Sequence, residues 1–175
     1  MTSGRRGGRL CMGITYTEAP HVAERPAQPY VFTTRQVTMT TIGEIADRIP
    51  ELFGWLAGRG IAPAGAPFLR YLTTDMDGTL LVEGGVPVAD PVEGDESVDA
   101  AVLPAGRYAG LTHRGHPDEL VQATTELQAW ADEQGLRLDR AADGRWGCRL
   151  ELFHTHPAEV PIGAWVTELA FKVTD

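Results

Sequence analysis

Trp165-Val166-Thr167-Glu168-Leu169-Ala170-Phe171-Lys172-Val173 lies at the end of the chain. It is rich in β-branched and aromatic residues and free of Gly and Pro, so it reads as a strand. Alternation puts Trp165, Leu169, Phe171 and Val173 on one face, and Val166, Glu168, Ala170 and Lys172 on the other. Glu168 is thus a mid-strand carboxylate. Such a group is either solvated or a placed, partnered charge, and taken alone the solvated reading is the commoner one.

The strand has an echo upstream. Glu83 and Val88 stand 85 positions before Glu168 and Val173. Glu51-Leu52, Trp55, Gly60 and Ile61 stand 75 positions before Glu126-Leu127, Trp130, Gly135 and Leu136. Matches of this kind mark an internal duplication, with loops absorbing the difference in spacing.

Local patterns fill in each half. In the first, Gly13–Thr17 and Tyr30–Thr38 read as strands. Thr41 and Glu44 suggest a capping box, and Ile42, Ile45, Ile49, Leu52, Phe53 and Leu56 recur at helical spacing. Pro50 should kink this helix or split it. Strands at Phe68–Asp75 and Thr79–Val88 flank a Met76-Asp77-Gly78 turn. In the second half, Val98–Leu103 and Arg107–Arg114 are strands, a helix runs from Pro117 to Gly135, and strands follow at Gly147–His154 and Ala164–Val173.

Each half is therefore β-α-β-β preceded by an extra strand. The expected fold is α+β: duplicated modules, about residues 13–92 and 96–175, forming one antiparallel sheet with two helices on one face. A central groove is expected on the pseudo-two-fold axis between the helices, a common ligand position. Residues 1–12 are Gly/Arg-rich and read as a disordered leader, with Met12 a second candidate start.

Composition narrows the function. With 24 acidic and 15 basic residues the formal charge is −9, which disfavours direct nucleic-acid binding. The field suits neutral or cationic ligands better than anions. No apolar run is long enough to span a bilayer, and the basic leader lacks the apolar stretch of a signal peptide. Cys11 and Cys148 lie too far apart in sequence to suggest a framework, and a reducing cytoplasm is expected.

Leu103-Pro104-Ala105-Gly106-Arg107-Tyr108-Ala109, His113-Arg114-Gly115, Glu151-Leu152-Phe153 before Pro157, and Trp165-Val166-Thr167-Glu168-Leu169 resemble the gyrase-inhibitor-like small-molecule-binding family. That fold also forms the effector-binding domain of many AraC- and MerR-type regulators. Phe68-Leu69-Arg70-Tyr71 and Gly84-Gly85-Val86-Pro87-Val88 resemble its first-half strands, and the resemblance covers about Ile14–Val173. It implies a groove lined by strand aromatics, with Glu168 pointing in to meet cationic or polar ligands. Some stand-alone members hydrolyse cyclopropane-bearing natural products with a groove glutamate. Where the family often has Tyr, this chain has Phe153.

Glu168 leads the site expectation, with Glu83 its pseudo-symmetric twin on a strand that Gly84-Gly85 makes irregular. Glu151 either faces the same groove or forms a salt bridge with Arg149 or Arg70. Tyr71, Tyr108, Phe153, Trp146 and Trp165 either form an aromatic cage or pack as core. Trp55 and Trp130 read as core. No metal or cofactor is expected: the His113/His116 and His154/His156 pairs sit at turns without supporting cysteines. The leading function is a stand-alone, cytoplasmic binder that senses or sequesters an amphipathic, neutral or cationic drug or metabolite, as a monomer or homodimer. A hydrolase using Glu168 and a protein-interaction module are the alternatives.

Overall fold

Two-residue links set the architecture. The computed structural model describes residues 14–74 and 78–174. The leader, Cys11 and the Met76-Asp77 part of the predicted turn fall outside them. The strands are β1 (Thr15–Arg25), β2 (Gln28–Thr38), β3 (Phe68–Thr74), β4 (Thr79–Pro87), β5 (Asp99–Leu103), β6 (Gly106–Arg114), β7 (Arg149–Phe153) and β8 (Val166–Lys172). They form one antiparallel sheet in the order β1-β6-β8-β7-β3-β4-β2-β5.

The order shows the duplication and one exchange. β2-β3-β4 and β6-β7-β8 are the repeated units, meeting where β3 pairs β7. Each extra strand crosses to the other unit: β1 pairs β6, and β5 pairs β2. Six strand intervals separate β1 from β2, roughly 29 Å in a flat sheet. The link Pro26-Ala27 can span only about 11 Å between flanking Cα atoms. Pro104-Ala105 makes the equivalent jump from β5 to β6. The sheet must therefore curl until its ends meet. It curls away from the helices, because both links come down on Phe68, Leu150 and Leu152 of the central strands.

The helices occupy the opposite face. The predicted first helix is split: α1 (Gly43–Ala46) is followed by α2 (Ile49–Gly58), which carries Pro50 in its first turn, where no intrahelical N–H is needed. The capping box does not form. Thr41 instead accepts from the Thr38 amide at 2.8 Å, and no side chain caps α1. In the second half Pro117–Glu119 makes one 3-10 turn before α3 (Leu120–Glu133). Gly135, at φ 74°, then turns the chain in the left-handed region.

Three apolar clusters result. Ile45, Ile49, Leu52 and Leu56 pack on Val31, Leu69, Val82 and Val86. Ala123 and Leu127 of α3 pack on Ala109, Leu111, Leu169 and Phe171. On the helix-free side Tyr30, Phe68, Tyr108, Leu150 and Ala170 close against one another inside the curl. Trp55 and Trp130, expected in the core, are half-buried at its margin, and the Trp55 indole donates to Asp95 at 2.9 Å.

Gly84-Gly85 does not make β4 irregular. A Cβ on Gly85 would lie 2.8 Å from the Phe68 ring, and one on Gly84 would lie 3.2 Å from the Ile45 carbonyl oxygen. The pair lets α1 approach one face of β4 and two aromatic rings approach the other. β1 is longer than expected. It continues past Pro20 because an edge strand tolerates both Pro and the register shifts seen between Tyr16 and His21.

Candidate ligand-binding site

Strand alternation distributes the candidate residues over two faces. Glu83 and Glu168 occupy corresponding places, opposite Arg70 and Leu152 on the neighbouring central strands. Both point away from the helices, because Val82, Leu169 and Phe171 take the helix side. This corrects the expectation that Glu168 enters a groove between the helices. The apolar parity Leu169-Phe171-Val173 is the side that the helix needs.

The two twins have different surroundings. Glu83 is 6% exposed, accepts from the Tyr30 hydroxyl at 2.6 Å and lies 3.9 Å from Arg70. Arg70 also donates to the Tyr30 oxygen at 2.9 Å and to the Gly147 carbonyl at 3.0 Å. Glu168 is half-buried. It accepts from Arg25 at 2.7 Å and lies 2.8 Å from His154 Nε2. With Arg25, Gln28, Phe68 and Tyr108 it borders a cavity of about 230 Å³ inside the curl. The Tyr108 hydroxyl donates to the Pro104 carbonyl at 2.6 Å, and Cys148 is buried beside it.

The helix side holds the larger space. A cleft of about 1100 Å³ opens between α1/α2 and the chain from Phe153 to Thr167, walled by Ala46, Ile49, Phe53, Phe153 and Trp165. The Trp165 indole donates to the Val160 carbonyl at 3.0 Å, which fixes its ring. Phe153 ends a row on β7, Arg149-Glu151-Phe153, that shares the helix side of the strand. The pseudo-two-fold axis passes beside Glu151, which is paired across the strands with Leu69. α2 rests on β4 and α3 on β6, to either side of this row.

Arg149 carries the feature that sequence reading missed. Its guanidinium carbon lies 4.9 Å from the ring centroids of Tyr71, Trp146 and Phe171. Two of the rings expected to cage an incoming cation thus already hold one of the chain's own. Tyr71 and Tyr108 lie on opposite faces, so the five predicted aromatics do not form one cage. Glu151 and Glu168 do not share a groove either. Nor does Glu151 form an ion pair with Arg149 or Arg70. Arg149, and after it the Tyr71 phenol, act on the Glu151 charge from nearby.

The carboxyl groups titrate in different directions. Burial pushes Glu83 above the usual range, against the pull of Tyr30 and Arg70. Burial also pushes Glu151 up, against Arg149 and Tyr71. For Glu168 burial acts the same way, but His154 and Arg25 outweigh it and hold the group low. The folded chain therefore keeps protons on Glu83 and Glu151 to higher pH than the unfolded chain does. Stability from this pair should fall as pH rises from the ordinary carboxylate range through their raised folded values. Glu168 acts oppositely: its contribution is present above the ordinary value and lost as pH falls through its lowered one. Urea unfolding of Glu83→Gln/Glu151→Gln across pH 4 to 7 should show a flatter decline than the parent. An unchanged slope would contradict these environments.

Comparison with known proteins agrees with this fold. The model of the GyrI-like small molecule binding domain matches residues 18–174, so the chain belongs to the GyrI-like family and is a small-molecule-binding domain. No curated protein matches. The chain is similar to EcmrR in its DNA complex, with TM-score 0.75 and 18% identity over 89% of this chain, and spans 57% of that chain. Against the EcmrR C-terminal domain the TM-score is 0.69 at 17% identity, covering 91% of this chain and 99% of that one. A hydrolase from Listeria innocua gives 0.61 at 14%, covering 89% and 91%. SAV2435 bound to tetraphenylphosphonium gives 0.56 at 12%, covering 89% and 93%. At these identities the likeness is one of fold.

Proposed function

We propose that the chain holds a small amphipathic molecule in the helix-side cleft, as a sensor or sink for a drug-like or metabolite-like compound. The carrying observation is the cleft itself: about 1100 Å³ with apolar and aromatic walls, and with Asp47, His154 and His156 as polar groups at its border. Ligand sites combine such walls with a few placed polar groups. The cavity beside Glu168 is about a fifth of that size, and its carboxylate already has two partners. A relative of the same fold bound to tetraphenylphosphonium is in keeping with a bulky aromatic ligand.

The neutral probe 1-pyrenebutanol tests this reading by its fluorescence. Titration should saturate at one probe per chain. Trp165→Ala should weaken binding by about tenfold, the loss of one aromatic wall. Linear, non-saturating uptake, or saturation indifferent to Trp165→Ala, would remove the cleft as the site.

A further inference from the structure

Arg25 and Arg70 both meet carboxylates, Glu168 and Glu83 respectively. Arg149 does not. Its Nε is buried without an acceptor, and among the described residues no carboxylate lies in ion-pair range of its guanidinium. Three ring faces hold it instead. A guanidinium presents five N–H donors in a rigid fork, and rings satisfy its charge while leaving those donors unspent. Arg149 is half-buried and shares the helix side of β7 with Phe153, which walls the cleft; neither Arg149 nor Glu151 borders the cleft itself. A second cation, the exposed Arg140, lies 4.8 Å from the same Trp146 ring.

We propose that Arg149 is the head-group anchor of the ligand, and that the ligand carries a hydrogen-bond acceptor, a carboxylate or a strongly polarised oxo group, rather than a cation. This rests on the helix-side cleft being the binding site. The ligand's apolar body lies between Phe53, Phe153 and Trp165. Its acceptor runs inward along β7 past Glu151 to the guanidinium. Residues i and i+4 of a strand are roughly 13 Å apart, so the molecule is elongated, with a short spacer between body and head. Asp47 borders the cleft, and on the path inward along β7 stands Glu151. Burial makes it hold its proton more tightly than usual, which weakens its repulsion of an incoming anion.

Two of the rings expected to cage a ligand cation, Tyr71 and Trp146, are filled by Arg149. A cationic ligand would have to expel this guanidinium from three ring faces or lie beside it against like charge. The chain's net charge of −9 works the other way, favouring cations at long range. A preference for an acceptor would therefore be local in origin.

A matched series decides the matter: 1-pyrenebutanoate, 1-pyrenebutanol and 1-pyrenebutyltrimethylammonium share one body and spacer and differ at the head. With the full chain, the butanoate should bind at least about tenfold tighter than the ammonium, the scale of one charge-assisted bidentate contact. Arg149→Met should erase that preference, with the butanoate losing about tenfold in affinity and the butanol losing less. Tightest binding by the ammonium, or butanoate affinity unchanged in Arg149→Met, overturns the proposal while the cleft stands on the butanol result. Failure of all three probes to saturate overturns the cleft and the anchor together. The ranking in the unmutated chain needs no variant, so it decides the question if Arg149→Met does not fold.

Discussion

Replacing Arg70 by Met should lower the unfolding free energy by about 3–5 kcal/mol at neutral pH, the cost of leaving a buried charge without its counter-ion. Glu83 is 6% exposed, and its remaining partner would be the Tyr30 hydroxyl. Arg70 also satisfies the Gly147 carbonyl across the β3–β7 seam, so the two halves lose a tie at the axis. The loss should shrink as pH falls, because Glu83 is already displaced upward and would take a proton sooner without Arg70. Adding Glu83→Gln to Arg70→Met should recover part of the loss at pH 7 and little at pH 4. Chemical unfolding of the two single variants and the double variant reads this directly. A loss below about 1 kcal/mol for Arg70→Met would mean that Glu83 is not dependent on it.

Ala46→Trp should abolish binding of 1-pyrenebutanol, with affinity falling by a hundredfold or more, about 3 kcal/mol. Ala46 ends α1, is half-buried and borders the cleft without belonging to the packed clusters. An indole there would fill the space between α1/α2 and Phe153, where the ligand body is proposed to lie. Because the change adds bulk to a cleft rather than to the core, the unfolding midpoint should move little. Fluorescence titration alongside thermal unfolding separates the two effects. Full binding with a filled cleft would mean that the probe sits elsewhere.

Much of the fold could be read from the chain. The 85-residue echo between Glu83 and Glu168 predicted the duplication, and both residues occupy corresponding positions. Pro50 correctly divided the first helix. The crossing of β1 and β5 to opposite halves could not be read, because strand partners distant in sequence leave no local signal. That exchange curls the sheet and covers the face carrying Glu168. A shorter signal was present and missed: Pro26-Ala27-Gln28-Pro29-Tyr30 repeats in Pro104-Ala105-Gly106-Arg107-Tyr108, and both Tyr rings lie in the same central cluster.

The site was legible in parts. Alternation already set Glu168 against Leu169 and Phe171, and the apolar parity is the one a covering helix requires, so its face was readable. Arg149-Leu150-Glu151-Leu152-Phe153 likewise put Arg149, Glu151 and Phe153 on one side. The cage around Arg149 was not readable. Its rings come from β3, from the segment before β7 and from β8, and three-dimensional packing alone brings them together.

The most direct test of the helix-side cleft is a crystal structure of the chain with 1-pyrenebutanol. The pyrene should lie between Phe53, Phe153 and Trp165, with its hydroxyl end directed along β7 towards Glu151 and Arg149. Pyrene density inside the curl beside Glu168, with the helix-side cleft empty, would contradict the account.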